Sequence, residues 1–416
     1  MIKLSEPASA LFEEIQKLPV IDSHEHLPTE KERIEQTIDA TTLFSHYCVA
    51  DLIAAGISEA TVQFVFDTSQ PLHDRWKKLI PFFEAIRFGS HAYPAFAYVE
   101  QVLGIDNINE ATIDQITQRL QGDNKPGVYK KLIQDLCGIE TCIQCNWEVI
   151  EGDQPCFTYL CGDRSTYINI EQFEKETDRS IYTLSDYVTA LHLYMESQKN
   201  KGAVGMKTTM AYERTLEVAD VSHSTAENVF TQLRASVAPS VSTGERRLLQ
   251  DYLLRRGIEA CIDVDLPVVI HTGYQGGNRN DIRNARALLL WPLLNSYPNA
   301  RFDLFHGSFP YVSDMTALGK YFPNVTIDMC YMHIVGPEGS RRALREWLDA
   351  VPVTKIIAFG ADYSVPEKIF GHLQLAQANV AIVLAERIEE NRMTEEQAIG
   401  VARLMFYDNA KRWYKL

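Results

Sequence analysis

His24 and His26, separated by one glutamate, close the apolar run 18–28 (LPVIDSHEHLP). Such a run reads as a buried parallel strand. Side chains two apart on a strand share a face, so both imidazoles project together where the strand ends and Glu25 points away. Two neutral imidazoles a few ångströms apart are ready donors for a divalent metal. A His-x-His pair alone is weak evidence. It gains weight from the polar residues that end later apolar runs: Lys207 in VGMKTT, His271 in PVVIHTG, His306 in FDLFHG and Asp362 in IIAFGAD. Four of the 11 histidines thus follow apolar runs directly. Singly, each has an ordinary alternative. His271 suits a core histidine, His306 a turn, Asp362 a helix N-cap, and Lys207 a solvated or paired lysine.

The elements that must position these groups alternate. A helix over 7–17 leads into a first strand at 18–22. Further strands are expected at 138–146, 156–161, 203–209, 267–271, 301–306, 325–329 and 355–359. Helical patterns at 184–199, 224–238, 244–263, 281–294, 312–321 and 341–349 connect them. Eight strands in βα alternation predict an α/β fold, a closed (β/α)₈ TIM barrel, whose chemistry sits at the strands' C-terminal ends. Helices from 369 onward are expected to seal the bottom or side. Between the first two strands lies a long helical stretch, with pieces at 41–55, 72–87, 111–121 and 128–137. It exceeds any ordinary loop and reads as an insertion. The expected organisation is a barrel of 1–29 and 138–416, with 30–137 as a lid or an oligomer contact.

Composition sets outer bounds. The chain has 416 residues, 46% of them hydrophobic, and a net charge of −15. That charge disfavours nucleic acid and anionic membrane as partners. No run approaches the length of a membrane span, and the first residues lack a signal peptide's apolar core, so a cytoplasmic location is expected. The eight cysteines sit mostly in apolar surroundings, as reduced thiols would. Cys142 and Cys145 have metal or redox spacing. No second pair matches them, and residues three apart on a strand face opposite sides, which favours plain packing.

The ordered set of His-x-His, a fifth-strand histidine, a sixth-strand histidine and an eighth-strand aspartate resembles the amidohydrolase superfamily, most closely its amidohydrolase 2 branch. The resemblance covers 18–28 and nearly all of 200–416, including the tail DNAKRWY at 408–414. It does not cover 30–137, although uronate isomerases, relatives of this branch, carry a similar helical insertion. It implies that His24, His26, His271 and Asp362 are metal ligands. His306 is then a ligand to a second metal or a free catalytic imidazole. Lys207 matches the lysine that some members carboxylate to bridge two metals, in a context like that of phosphotriesterase-like members. In the mononuclear branch a lysine there would hold a substrate carboxylate. One or two ions are therefore expected, Zn²⁺ first, with Mn²⁺ or Fe²⁺ as alternatives.

The implied activity is that of a metal-dependent hydrolase. It would act through metal-activated water on a C–N or C–O bond of a small polar, anionic substrate. Asp362, His306 and Lys207 would be the catalytic groups, with Asp362 passing protons and His306 steadying an oxyanion. The alternatives are non-oxidative decarboxylation and uronate-type aldose–ketose isomerisation at the same site. A non-catalytic barrel with a structural metal fits less well, because structural sites are closed. Tyr212 and Arg214 after the fourth strand, Arg279 (with Arg283) in the Gly-rich segment after the fifth, and Tyr331 are the expected substrate contacts. Tyr363 is a further wall. Arg75, Arg87 or Tyr93 from the insertion would cover the pocket as a lid or form a dimer contact. His46 and His333 are expected to be structural or rim residues. A homo-oligomer is the expected assembly.

Overall fold

The structure is a computed structural model, and it describes residues 3–145, 156–235 and 241–416. Asn146, expected to end the second strand, and 236–238, expected to end the helix after the fourth, lie outside the described residues. Eight parallel strands run in sequence order around a barrel. They are β1 (Val20–Glu25), β2 (Ile139–Cys145), β3 (Phe157–Gly162), β4 (Ala203–Thr208), β5 (Val268–His271), β6 (Phe302–Phe305), β7 (Val325–Asp328) and β8 (Ile356–Ile357). Each adjacent pair from β1–β2 to β7–β8 is a parallel ladder. The TIM-barrel expectation holds, and all eight strands fall where the apolar runs predicted.

β8 is shorter than its apolar run. Its continuation instead closes the barrel irregularly on β1. Ser23 N–H donates to Phe359 O, His26 N–H to Tyr363 O, and Asp362 N–H to His24 O at 2.8 Å. Gly360 makes this approach possible, because a Cβ there would lie 2.5 Å from Ser23 Oγ and 2.8 Å from Cys330 Sγ. The closure therefore clamps Asp362 beside the two β1 histidines.

The residues between β1 and β2 form successive helices, as their punctuation predicted. Glu30–Glu35 opens with a capping box, Thr29 with Glu32. The expected helix at 41–55 divides into a 3₁₀ turn, Ala40–Phe44, and a helix, Tyr47–Ala54. The break falls at His46, with φ 61° and ψ −123°. Within this segment Tyr93–Gln101 and Lys130–Leu136 pack on the long helix Glu367–Glu389. Arg33 pairs with Glu367, both buried. A Cβ at Gly371 would meet Pro94 Cα at 2.5 Å, so the two helices Tyr93–Gln101 and Glu367–Glu389 touch backbone to backbone.

The C-terminal helix Asn409–Tyr414 seals the opposite end of the barrel, as expected. The Tyr414 hydroxyl donates to Asp303 Oδ2 at 2.5 Å. Burial pushes the Asp303 carboxyl up to about 7. No described helix is long and apolar enough to cross a membrane.

Candidate metal and substrate site

A cavity of about 350 Å³ opens where the strands end, within the size range of small-molecule sites. β1 delivers His24 and His26 to it, and the segment after β8 delivers Asp362. His24 Nε2 lies 3.5 Å and His26 Nε2 3.3 Å from Asp362 Oδ1. Asp362 Oδ1 is buried and has no hydrogen-bond partner. A carboxylate oxygen facing two imidazole nitrogens, unsatisfied by any hydrogen, is the arrangement a shared cation would satisfy. The donor set of this site thus fits a divalent metal.

His306 approaches the other oxygen of the same carboxylate, Nδ1 to Oδ2, at 4.0 Å. Its Nδ1–H donates to Cys330 O at 3.0 Å, which leaves Nε2 as a buried lone pair without a partner. His306 is 1% exposed and stands behind the cavity wall rather than on it. His271 does line the cavity, its ring 4.3 Å from that of His306. Its Nε2–H donates to Tyr274 O at 2.9 Å. Burial holds the imidazoles of His24 and His271 well below their usual range, and draws His306 down to about 4. All three are therefore neutral, with free lone pairs, at ordinary pH. Lys207 Nζ, from β4, is buried without a hydrogen-bond partner and sits 3.9 Å from the Phe305 ring centroid. Burial lowers its pKa.

The substrate contacts expected from sequence divide. Tyr212 lines the cavity, with its ring 4.8 Å from His271, and its hydroxyl accepts from Gly276 N–H at 2.8 Å. Arg214 does not line it. Its guanidinium is tied to Asp251 and to the carbonyl oxygens of Thr215 and Glu217, because a buried carboxylate outcompetes an open cavity for the fork. Arg279 is exposed on its loop, away from the lining, and Arg283 pairs with neighbouring Asp281. Tyr331 stands one layer back. Its ring packs 4.1 Å from that of Tyr47, and its hydroxyl donates to His91 Nε2 at 3.1 Å. Tyr363 is likewise buried beside Tyr47. His333 is a core residue bonded to Ala358 O.

The segment 30–137 reaches the cavity through other residues than those expected as a lid. Arg75 is buried against Asp39, Arg87 pairs with Glu84, and Tyr93 lines a separate hollow. His46 and Tyr47 line the site instead. Burial pulls His46 down to about 4, so it too is neutral. Burial first, and then the Asp362 carboxylate, keep the Tyr47 phenol protonated. Apolar periodicity could not reveal this, since His46 looked like an interior position of one long helix.

Cys145 was also missed. It ends β2 on the cavity side, and its Sγ lies with the donor atoms of His24 and His26 inside one 4.8 Å group. A second such group joins His306, Cys330 and Asp362. Its position at a strand end was the available signal, obscured by reading it as one half of a pair with Cys142. Several residues of the site hold left-handed backbone: His46, His306, Tyr331 and Asp362 have φ between 61° and 67°. Each such residue costs about 1–3 kcal/mol, and such strain concentrates at functional sites.

Comparison with known proteins places the chain. Residues 206–416 match the family model described as Amidohydrolase. The chain belongs to this amidohydrolase family. Among curated proteins, protein fluG of Emericella nidulans is 24% identical over 233 residues, 54% of this chain but 27% of that protein's length. The chain thus spans about a quarter of that relative. A uronate isomerase of Brucella canis is 22% identical over 463 aligned positions, covering 99% of this chain and 97% of its own. Among solved structures, uronate isomerase from Thermotoga maritima superposes with a TM-score of 0.83 at 16% identity, over 100% of both chains. That last likeness establishes the fold.

Proposed function

We propose that this amidohydrolase-family enzyme is a metal-dependent isomerase of the uronate type, interconverting the aldose and ketose forms of a sugar acid. The carrying observation is likeness along the whole chain to uronate isomerases, including the helical stretch that brings His46 and Tyr47 to the cavity. Hydrolysis, the first expectation from sequence, has weaker support, because the family as such hosts several reactions on one fold.

His24, His26 and Asp362 would hold the cation, with His306 behind the carboxylate and His271 on the adjoining wall. A bound divalent cation, Zn²⁺ in the first instance, polarises a carbonyl and acidifies a neighbouring hydroxyl. The isomerisation moves the C2 hydrogen to C1 and the O2 hydroxyl proton to O1, without change of mass. Neutral His46 takes and returns a proton. Protonated Tyr47 donates to the oxygen on which charge develops. Lys207, buried and without a hydrogen-bond partner, pairs with the substrate carboxylate. Tyr212 forms a side wall. In this reading 30–137 is a lid on a barrel made of 1–29 and 138–416.

The test is incubation of Zn²⁺-loaded protein with glucuronate and galacturonate, followed by NMR. A ketose of unchanged mass, with deuterium incorporated from heavy water at the exchanging carbon, is the expected product. Release of carbon dioxide, or a gain of water on an amide or ester with no action on either uronate, would replace this reading with one of its alternatives.

A further inference from the structure

We propose that Cys145 is a metal ligand, its thiolate joining His24 and His26 in a nitrogen–sulfur donor set for Zn²⁺. The inference deepens the metal site of the reading above, but it rests only on a divalent cation sitting beside the two β1 histidines, not on the substrate.

Three observations carry it. First, the donor atoms of Cys145, His24 and His26 all lie within 4.8 Å of one another, close enough for one ion to draw them together. Second, the strand aims the thiol there. Gln144, one residue earlier, turns away and accepts from Leu27 N–H at 3.1 Å through Oε1. Cys142 is fully buried, while Cys145 lines the cavity. β1 and β2 are neighbours, with Glu25 in register with Gln144, so their last residues end side by side. Third, a buried polar atom without a hydrogen-bond partner sits at the same place, Asp362 Oδ1, in a residue 3% exposed. Asp362 Oδ1 faces both imidazoles of the set.

Loading is balanced simply. The S–H bond breaks, the sulfur lone pair goes to the cation, and the proton leaves to solvent, as happens to coordinating thiols generally. A thiolate also changes metal preference. Soft sulfur selects Zn²⁺ over Mn²⁺ and Mg²⁺, which a purely imidazole and carboxylate site would tolerate better. Cys330 is the natural control. It belongs to the second donor group, but it is fully buried beneath Gly360 and off the cavity lining.

The experiment is X-ray absorption spectroscopy at the zinc edge on the full chain loaded with Zn²⁺, with Cys145→Ser and Cys330→Ser alongside. Expected is one sulfur neighbour at about 2.3 Å in the wild type and in C330S. It should be absent in C145S, whose zinc affinity should fall by more than about tenfold, the loss seen even for outer-shell partners. A wild-type spectrum with nitrogen and oxygen neighbours alone overturns the proposal without need of any variant. So does a sulfur shell that persists in C145S. Sulfur ligation with no action on uronates leaves Cys145 assigned and rejects the isomerase reading, whereas isomerase activity without a sulfur neighbour does the reverse.

Discussion

At the residue scale, the site separates groups that would hold a cation from groups that would act on substrate. Asp362 Oδ1 stands 3.3–3.5 Å from two imidazole nitrogens and is the shared corner of the proposed metal set. Tyr47 lines the same cavity from a different element and contributes to neither donor group. Their substitutions should therefore diverge. Tyr47→Phe is expected to lower turnover by about 10²–10³-fold, as losing one oxyanion donor does, with zinc content unchanged. Asp362→Asn should lower both. Zinc analysis beside steady-state rates checks this, and loss of zinc in Y47F would assign Tyr47 to the metal side.

At the element scale, the decisive feature is one broken helix. His46 has φ 61° and ψ −123°, a region natural to glycine and costly for a β-carbon-bearing residue. The break turns Tyr47 into the cavity and ends the helix that periodicity drew straight through it. Thermal melting of His46→Gly should show a higher midpoint, from relief of about 1–3 kcal/mol of strain. Its turnover should fall, because the imidazole is gone. An unchanged or lower midpoint would mean that the strain is spread over neighbouring residues rather than held at this one. Strands fared differently from helices in their legibility. β1, β5, β6, β7 and β8 are buried at every residue, so their apolar runs showed plainly in the sequence. β8 was overdrawn because apolarity persists past Ile357, while pairing passes to an irregular closure on β1.

At the scale of the whole molecule, the chain's last helix reaches the barrel's far end, where Tyr414 caps Asp303. Burial pushes Asp303 up to about 7, against an ordinary value near 3.8. Between those two pH values the native chain holds a proton that the unfolded chain has lost. The stabilisation from this group is therefore complete below the unfolded value and is lost as pH rises through about 7. Relative to Asp303→Asn, which cannot titrate, the wild type should gain stability as pH falls from 8 to 5. Urea midpoints at those two pH values measure it, and a parallel shift of both proteins would show that Asp303 does not titrate in this range.

The sequence by itself determined the barrel, the order of its strands and the polar residue ending most of them, because burial on both faces and strand-end placement are local properties written in residue type. It also suggested the family, which the match over 206–416 bears out. It could not determine which arginines were already spoken for. Arg214 and Arg75 find buried carboxylates at Asp251 and Asp39, and those pairings are made through space. Nor could it bring Cys145 beside His24 or Tyr47 beside Asp362. Those meetings depend on the closure of β1 against the segment after β8 and on a strained turn at His46. Both are set by packing between segments distant in the chain, where no local pattern carries the information.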